Sequence, residues 1–119
     1  MSEPASQIHV RDEQGVTCVQ LLERRIVDDS SIRLLGKRLL DLTQASPRPL
    51  LVIDFGGVEH LSSAALGVLI SVHNAVKERG GQLRLCGIAR SIFEVFRITK
   101  LDRMFQTCQT VEQAVQGLA

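Results

Sequence analysis

The sequence has few aromatic residues, and this scarcity argues against one class of nucleic-acid-binding protein. Among its 119 residues there is no Trp and no Tyr, and aromatic residues make up 3% of the chain. Proteins that bind single-stranded nucleic acid rely on aromatic side chains on which the bases stack. The formal net charge of +1 also provides no basic surface for a duplex. We therefore expect no nucleic-acid partner.

Long apolar runs are missing as well, and the cysteines are few. No stretch approaches the roughly 18 apolar residues of a membrane-spanning helix. The first residues, MSEPASQIHV, have neither the basic start nor the apolar segment of a secretion signal. The three cysteines, Cys18, Cys86 and Cys108, are odd in number and far apart, which is typical of reduced thiols. These absences predict a cytoplasmic protein without direct membrane insertion.

Signals for cofactors and catalysis are equally scarce. The three histidines do not stand at metal-ligand spacing from the cysteines. The pairs Gly56-Gly57 and Gly80-Gly81 fit neither GxGxxG nor GxxxxGK[ST]. Ser62 and Ser63 follow His60 closely, but no G-x-S-x-G motif surrounds them. We predict no metal, no cofactor and no catalytic residue, and hence a protein that is not an enzyme.

The spacing of apolar residues predicts strands that alternate with helices in one domain. A chain of this length can bury a core without disulfides or metals. Val16 to Leu22 has few polar positions, so we expect this strand to lie inside the sheet. The predicted segments are a strand at 8–11, a turn at 12–15, a strand at 16–22, a helix that begins at 28–31 and ends before 46–49, a strand at 50–53, a helix at 63–79, a strand at 82–86, a helix at 89–98, a strand at 105–108 and a helix from 110.

This order, β-β-α-β-α-β-α-β-α, is typical of the α/β class. The first two strands are expected to form an antiparallel hairpin beside otherwise parallel strands. We predict a mixed, mainly parallel sheet of about five strands with about four helices. Residues 1–7 are expected to be a flexible N-terminus, and residues 8–119 the folded domain. Gly36 costs about 1 kcal/mol inside a helix relative to Ala, and its presence indicates close packing.

The stretch from Leu50 to Gly81 is the most informative part of the chain. An apolar strand ends at Asp54, a short loop follows, and Ser62-Ser63 begins a helix. We predict that Ser62 is the N-cap, which leaves Ser63 at the first helical position with its hydroxyl free. Asp54 is expected either to cap loop amides or to contact a partner. Without further information, the two serines would merely begin a helix.

A helical wheel of this second helix predicts which residues face the sheet. At 100° per residue, the core-facing stripe contains Ala65, Val68, Leu69, Val72 and Val76. Leu66, Gly67 and Ile70 fall on another side together with Ser63, and they could form a small apolar docking patch. The alternative is that a neighbouring helix covers Leu66 and Ile70. Gly67, which is costly in a helix, suits the close approach of another backbone.

The run IDFGGVEHLSSAALGVLISV resembles the signature of STAS domains, the family of anti-sigma-factor antagonists and of sulfate-transporter cytoplasmic domains. Matching positions are Asp54, Val58, Ser63 and the segment 66–69, Leu-Gly-Val-Leu. The later ITKLDRMFQTCQTVEQAV resembles the closing segment of the family, Leu-Asp-Arg-Leu-Phe before a capped last helix. The resemblance covers essentially the whole chain from Ile8 onward.

The resemblance implies a bacterial partner-switching protein. Its unmodified form would bind an anti-sigma factor with a GHKL-type serine kinase domain and free the sigma factor. That kinase would phosphorylate the serine that corresponds to Ser63 and end the binding, and a PP2C-like phosphatase would reverse this. The residues expected to contact the partner are Asp54, Ser62, Ser63, Leu66, Gly67 and Ile70.

The sequence departs from the family pattern at two positions. Ser62 stands where the family usually has Asp, and Ala65 where the motif ends in Gly. These departures leave open a second hypothesis, a non-phosphorylated STAS adaptor or scaffold in a signalling complex or a membrane transport system. A third hypothesis is a small α/β enzyme that uses Asp54 at a strand end.

Overall fold

The structure is a computed structural model that describes residues 7–118. These residues form seven strands, four α-helices and one short 3₁₀ helix. In chain order they are β1 (Ile8–Glu13), β2 (Val16–Leu21), β3 (Arg25–Ile26), α1 (Asp29–Gln44), β4 (Leu50–Asp54), β5 (His60–Leu61), α2 (Ser63–Glu78), β6 (Gln82–Cys86), α3 (Arg90–Ile98), the 3₁₀ helix (Leu101–Arg103), β7 (Gln106–Cys108) and α4 (Val111–Leu118). None of the helices in this part of the chain has the length and apolar character needed to cross a bilayer.

The main sheet has five strands in the order β1-β2-β4-β6-β7. Strands β1 and β2 are antiparallel, and the other neighbours are parallel. The predicted mixed sheet and the internal position of β2 are therefore confirmed. The hairpin turns at Gln14 and Gly15, which both have positive φ, as a two-residue type I′ turn requires.

The three β-α-β connections all step in the same direction across the sheet, from β2 to β4, β6 and β7. Because such connections are right-handed, their helices lie on one face. Residues of α1, α2 and α3 accordingly share one core cluster with the inward side chains of the central strands. Within residues 7–118, the helix that packs on the other face is α4, over a smaller cluster that includes Val16, Cys18, Val52 and Cys86.

Gly36 marks close packing between α1 and α2. A Cβ atom at this position would lie 3.4 Å from both methyl groups of Val68, so the predicted tight contact is confirmed. Val68, in turn, is half-buried against α1, whereas the helical wheel places it toward the sheet. The helix α2 is therefore turned about its own axis relative to that prediction.

The structure differs from the predicted boundaries at Gln7. This residue is 4% exposed, its carbonyl accepts a hydrogen bond from the Leu22 amide at 2.8 Å, and its side-chain amide donates to the Ser31 carbonyl at 2.6 Å. Gln7 is therefore anchored and not part of a flexible segment. Residues 1–6 of the predicted flexible N-terminus lie outside the described residues.

Candidate functional site

The candidate site begins where β4 ends, at Asp54. The carboxylate Oδ1 of Asp54 accepts a hydrogen bond from the Gly56 amide at 2.9 Å, which is the loop-capping role that the sequence left open. Gly87, which follows β6, stands against the same loop: a Cβ there would lie 3.0 Å from Asp54 Oδ1 and 3.2 Å from the Gly56 nitrogen. Gly87 also has a positive φ of 68°. The loops after β4 and β6 therefore meet at the carboxyl edge of the sheet.

A second, two-stranded sheet fixes the approach to α2. Strands β3 and β5 pair in parallel, and the Arg24 carbonyl accepts hydrogen bonds from the Glu59 and His60 amides at 2.7 and 3.1 Å. The Ser62 amide donates to the Ile26 carbonyl at 3.1 Å. The Arg24 guanidinium also meets both carboxylate oxygens of Glu59, at 2.9 and 3.0 Å. Backbone hydrogen bonds at both ends of this strand pair thus hold the chain just before α2 in place.

Ser62 is the N-cap of α2. Its backbone is extended, with φ −79° and ψ 167°, and its Oγ accepts a hydrogen bond from the Ala65 amide at 3.2 Å. The Leu66 amide donates to the Ser62 carbonyl at 3.0 Å, the first bond of the helix. Leu61 and Leu66 line the same groove, in the positions of a hydrophobic staple. Local sequence signals were sufficient to identify this helix start.

Ser63 occupies the first helical position and is exposed. Within residues 7–118 its hydroxyl makes no hydrogen bond, because the capping role belongs to Ser62. The first-turn amides of a helix lack intrahelical partners, and together with the helix dipole they favour negative charge at this end. Ser63 therefore presents a free hydroxyl in a position where the fold tolerates an anion.

The expected docking patch needs a correction at Leu66. The wheel placed Leu66 outside the core, but its side chain is 8% exposed and belongs to the main core cluster together with Ile92 of α3. Ile70 is half-buried and packs against the same cluster. Leu66 is therefore a core residue and not an exposed docking contact, and together with Ile92 and Val95 of α3 it lines a groove.

The exposed stripe of α2 consists of small and polar side chains. It contains Ser63, Ala64, Gly67, Ser71 and Asn74, and we call it the small-residue stripe. A Cβ atom on Gly67 would meet nothing within 4 Å, so no part of the described chain approaches this glycine. The docking patch predicted from the wheel does not include Ala64 and Ser71, although the small residues at 64, 67 and 71 follow helical spacing.

Two grooves flank the small-residue stripe. The α1–α2 groove lies on one side and is lined by Arg33, Gly36, Leu40, Ala64, Gly67, Val68, Ser71 and Val72. The α2–α3 groove lies on the other side and is lined by Glu59, His60, Leu61, Leu66, Ser91, Ile92 and Val95. On α3 two large apolar side chains remain exposed, Val95 at 42% and Ile98 at 78%. Ser63 lines neither groove, but its neighbour Ala64 lines the first, and Leu61 and Leu66 line the second.

The described residues contain no group of three or more His, Cys, Asp or Glu side chains that could hold a metal ion. Among the acidic residues of this part of the chain, Asp28, the N-cap of α1, has a clearly shifted pKa. Hydrogen bonds from the Ser30 hydroxyl and the Ser31 amide lower the pKa of its carboxyl below the ordinary value. This is a capping interaction at a helix start, and it supplies no catalytic group.

Comparison with known proteins agrees with this geometry. An anti-sigma-B factor antagonist from Listeria monocytogenes is 28% identical over 81 residues, which cover 68% of this chain and 70% of the relative. An anti-sigma-factor antagonist (STAS) domain protein from Planctomyces limnophilus has a similar structure, with a TM-score of 0.87 at 22% identity over 95% of this chain and 98% of that one. The phosphorylated form of the Bacillus cell fate determinant SpoIIAA matches with a TM-score of 0.70 at 11% identity, over 94% and 99% of the two chains.

The structural likenesses establish the fold, a small α/β domain with four helices and a mixed five-stranded sheet. The family model for the STAS domain matches residues 8–114, which is nearly the whole of the described chain and includes β4, the loop at Asp54 and all of α2. On this match, the chain belongs to the STAS domain family.

Proposed function

We propose that this protein is a cytoplasmic anti-sigma factor antagonist that is switched by phosphorylation of Ser63. In its unmodified form it binds an anti-sigma factor with a GHKL-type serine kinase domain, and the sigma factor is released. The kinase then phosphorylates Ser63 and ends the binding, and a PP2C-like phosphatase restores the active form. The name of the Listeria relative and the phosphorylated state of the Bacillus neighbour support this proposal.

The observation that carries the proposal is the position of Ser63. Its hydroxyl is exposed, it makes no hydrogen bond within residues 7–118, and it follows an N-cap that already performs the structural role. A serine needed for the fold would be expected to bond a backbone group, as Ser62 does. Ser63 is therefore accessible to a kinase without any unfolding of the helix start.

The partner surface in this proposal is the small-residue stripe. A glycine inside a helix costs about 0.5–1 kcal/mol relative to alanine, and Gly67 has no neighbour in the described chain that would require it. A partner backbone that lies along Ser63, Ala64 and Gly67 would require it. Within this interface, Leu66 and Ile70 support the stripe from below, while Asp54 and Ser62 hold the loop and the helix start in place.

The switch works through charge. Phosphorylation adds about −1.5 to −2 charges at pH 7. The free first-turn amides and the helix dipole favour that charge, so the fold is retained. A partner packed on Ala64 and Gly67 would have to strip water from the phosphate, and an unpaired charge is costly to bury. Phosphorylation therefore lowers the affinity for the partner with little change of shape.

The two departures from the family pattern are accommodated at the helix start. The Oγ atom of Ser62 accepts a hydrogen bond from the Ala65 amide, as the carboxylate of an Asp at the N-cap would. Ser and Asp are about equally favourable at this position. The methyl group of Ala65 is buried, with 2% exposure, and faces the core and not the small-residue stripe. Both substitutions leave the hydroxyl of Ser63 and the exposed stripe unchanged.

The proposal is tested by incubating the protein with ATP and an anti-sigma factor kinase from the same genome, followed by peptide mass spectrometry. We expect one phosphate, on Ser63, and no labelling of the Ser63→Ala variant. Ser63→Asp should bind the kinase at least tenfold more weakly than the unmodified protein, since an unpaired charge at an interface costs on the order of 2 kcal/mol or more. Isothermal titration calorimetry measures this difference.

Gln116→Glu is the matched control for the added charge. It places the same charge on an exposed position of α4, on the other face of the sheet, and should bind like the unmodified protein. Equal weakening by both variants would indicate a long-range charge effect and contradict the proposed contact. Phosphate on a residue other than Ser63 would contradict the switch.

The second candidate is a STAS adaptor that is not phosphorylated. It is favoured by Ser62, because the carboxylate that usually precedes the phosphorylated serine in the family is missing here. In this case the protein would bind its partner with the small-residue stripe but would not accept phosphate from the kinase. Binding without any phosphate on Ser63 distinguishes this candidate from the first.

A further inference from the structure

Two of the three cysteines stand side by side at the ends of neighbouring strands. Cys86 ends β6, Cys108 ends β7, and the two are paired in the register of this parallel ladder. Both belong to the apolar cluster beneath α4, where Cys108 packs against the buried residues. The Gly87 amide donates a hydrogen bond to the Cys108 carbonyl at 3.4 Å, so the two strand ends remain together beyond the thiols.

The register of β6 and β7 pairs the Cα atoms of Cys86 and Cys108. Neighbouring strands lie about 4.8 Å apart, and disulfides form between residues whose Cα atoms are about 4.4–6.8 Å apart. Gly87 follows Cys86 directly and has a positive φ of 68°, so the extended strand β6 ends at Cys86.

Access differs between the three thiols. All are free in the structure, and Cys108 is half-buried while Cys18 and Cys86 are buried. Cys108 lines an open groove together with Gly87, Phe93, Thr107 and Gln113, so a small solute reaches it first. Cys18 lies on β2, and β4 separates β2 from β6. At about 4.8 Å per strand, Cys18 is too far from Cys86 to be bridged.

We infer that Cys86 and Cys108 are a redox pair that a peroxide converts into a disulfide. The Cys108 sulfur attacks one oxygen of hydrogen peroxide, the O–O bond breaks, and the departing hydroxide leaves as water with the thiol proton. The Cys86 sulfur then attacks the resulting sulfenic acid, the S–O bond breaks, and the second hydroxide leaves as water with the Cys86 proton. Two thiols and one peroxide thus give one disulfide and two water molecules.

The ring-closing step should depend strongly on pH. Burial raises the pKa of the Cys86 thiol to about 12, with smaller contributions from Asp54 of β4, Cys108 of β7, Cys18 of β2 and Glu112 of α4. Only the thiolate is a good nucleophile, and its fraction well below the pKa rises about tenfold per pH unit. The lifetime of the Cys108 sulfenic acid should therefore shorten as the pH rises from 7 to 9.

The test is a thiol map of the full chain after treatment with hydrogen peroxide in native buffer. Remaining thiols are blocked with N-ethylmaleimide under denaturing conditions, and peptides are mapped without reduction. We expect one linked peptide pair that contains Cys86 and Cys108, an alkylated Cys18, and recovery of all three thiols with dithiothreitol. Cys18→Ser, the matched control, should give the same linked pair.

Cys108→Ser should leave Cys86 reduced, since the buried thiol has lost the residue through which the oxidant enters. If this variant does not fold, the map of the unmodified protein still decides. A disulfide that includes Cys18, a bridge between two copies of the chain, or Cys108 oxidised to sulfinic acid beside a reduced Cys86 would each overturn the inference. A sulfenic acid on Cys108 whose lifetime is the same at pH 7 and 9 would also overturn it.

Discussion

Ser62 and Ser63 are adjacent residues with different physical roles. The side chain of Ser62 bonds the Ala65 amide, so it contributes to the stability of the helix start. The side chain of Ser63 is exposed and bonds no group within residues 7–118. Two serines that look alike in the sequence therefore differ in what their removal should cost.

We predict that Ser62→Ala lowers the free energy of unfolding by about 1 kcal/mol, because an N-cap hydrogen bond is lost. Ser63→Ala should change it by less than about 0.5 kcal/mol, as is usual for exposed positions without a specific contact. Urea titration followed by circular dichroism measures both values. A larger loss for Ser63→Ala than for Ser62→Ala would contradict the division of roles between the two serines.

At the scale of elements, α2 contains one residue that lowers the stability of the helix, and no contact within the described chain requires it. Gly67 is exposed in the middle of the helix and has open space where a Cβ would stand. Gly81, just after the helix, is the opposite case. A Cβ there would collide with the backbone carbonyl of Pro49, so this glycine is required by the fold itself.

We predict that Gly67→Ala raises the free energy of unfolding by about 0.5–1 kcal/mol, because alanine loses less conformational entropy in a helix. If the small-residue stripe meets a partner backbone, the same variant should bind the anti-sigma factor kinase more weakly. Stability gained together with affinity lost would support the proposed interface. Unchanged affinity would show that the partner does not approach Gly67.

Gly81→Ala is the control variant for the contrast between Gly67, which the fold does not require, and Gly81, which it does. It should lower the free energy of unfolding, since the strand β6 or the segment at Pro49 must move to relieve the collision. Thermal unfolding of the two variants beside the unmodified protein shows whether they shift in opposite directions, as expected. A gain in stability for both would mean that the backbone relaxes at little cost.

The elements differ in how far the sequence could predict them. The five strands of the main sheet and the four helices were all predicted, because most of them have an apolar pattern over five or more residues. Strands β3 and β5 have two residues each, which is too short for any period to appear, and they were missed. Leu66 was misplaced because a wheel describes one helix alone, whereas burial depends on all the elements that contribute side chains to the same core cluster. Ser62 was identified correctly because capping is local in sequence.

At the scale of the whole molecule, His73 couples stability to pH. It lies half-buried on α2, its ring centroid is 5.3 Å from that of Phe105, and its Nδ1 is buried with no hydrogen-bond partner in residues 7–118. Burial lowers the pKa of His73 below the ordinary value, and the nearby Lys77 lowers it further. The folded state therefore disfavours the protonated ring.

The sign of this coupling follows from the two states. Unfolded chains bind a proton at histidine near a pKa of about 6.5, and the folded protein binds it only at lower pH. The unfolded state thus takes up more protons as the pH falls below that value, and the stability contributed by neutral His73 is lost. The urea concentration at the midpoint of unfolding should therefore decrease as the pH is lowered from 7.5 to 5.5. His73→Gln should show a smaller fall over the same range, and an equal fall would assign the effect to other groups.

During synthesis, the face of the sheet that α4 covers stays exposed until α4 has been made. The strands from β1 to β7 all precede α4 in the chain, and α4 is the described helix that shields Val16, Val52 and Cys86. A ribosome adds about 5–20 residues per second, so an apolar surface of the nascent chain is open to water until α4 emerges. We expect chaperones that bind exposed apolar segments to act on this face, and nascent chains arrested before Val111 to be their better substrates.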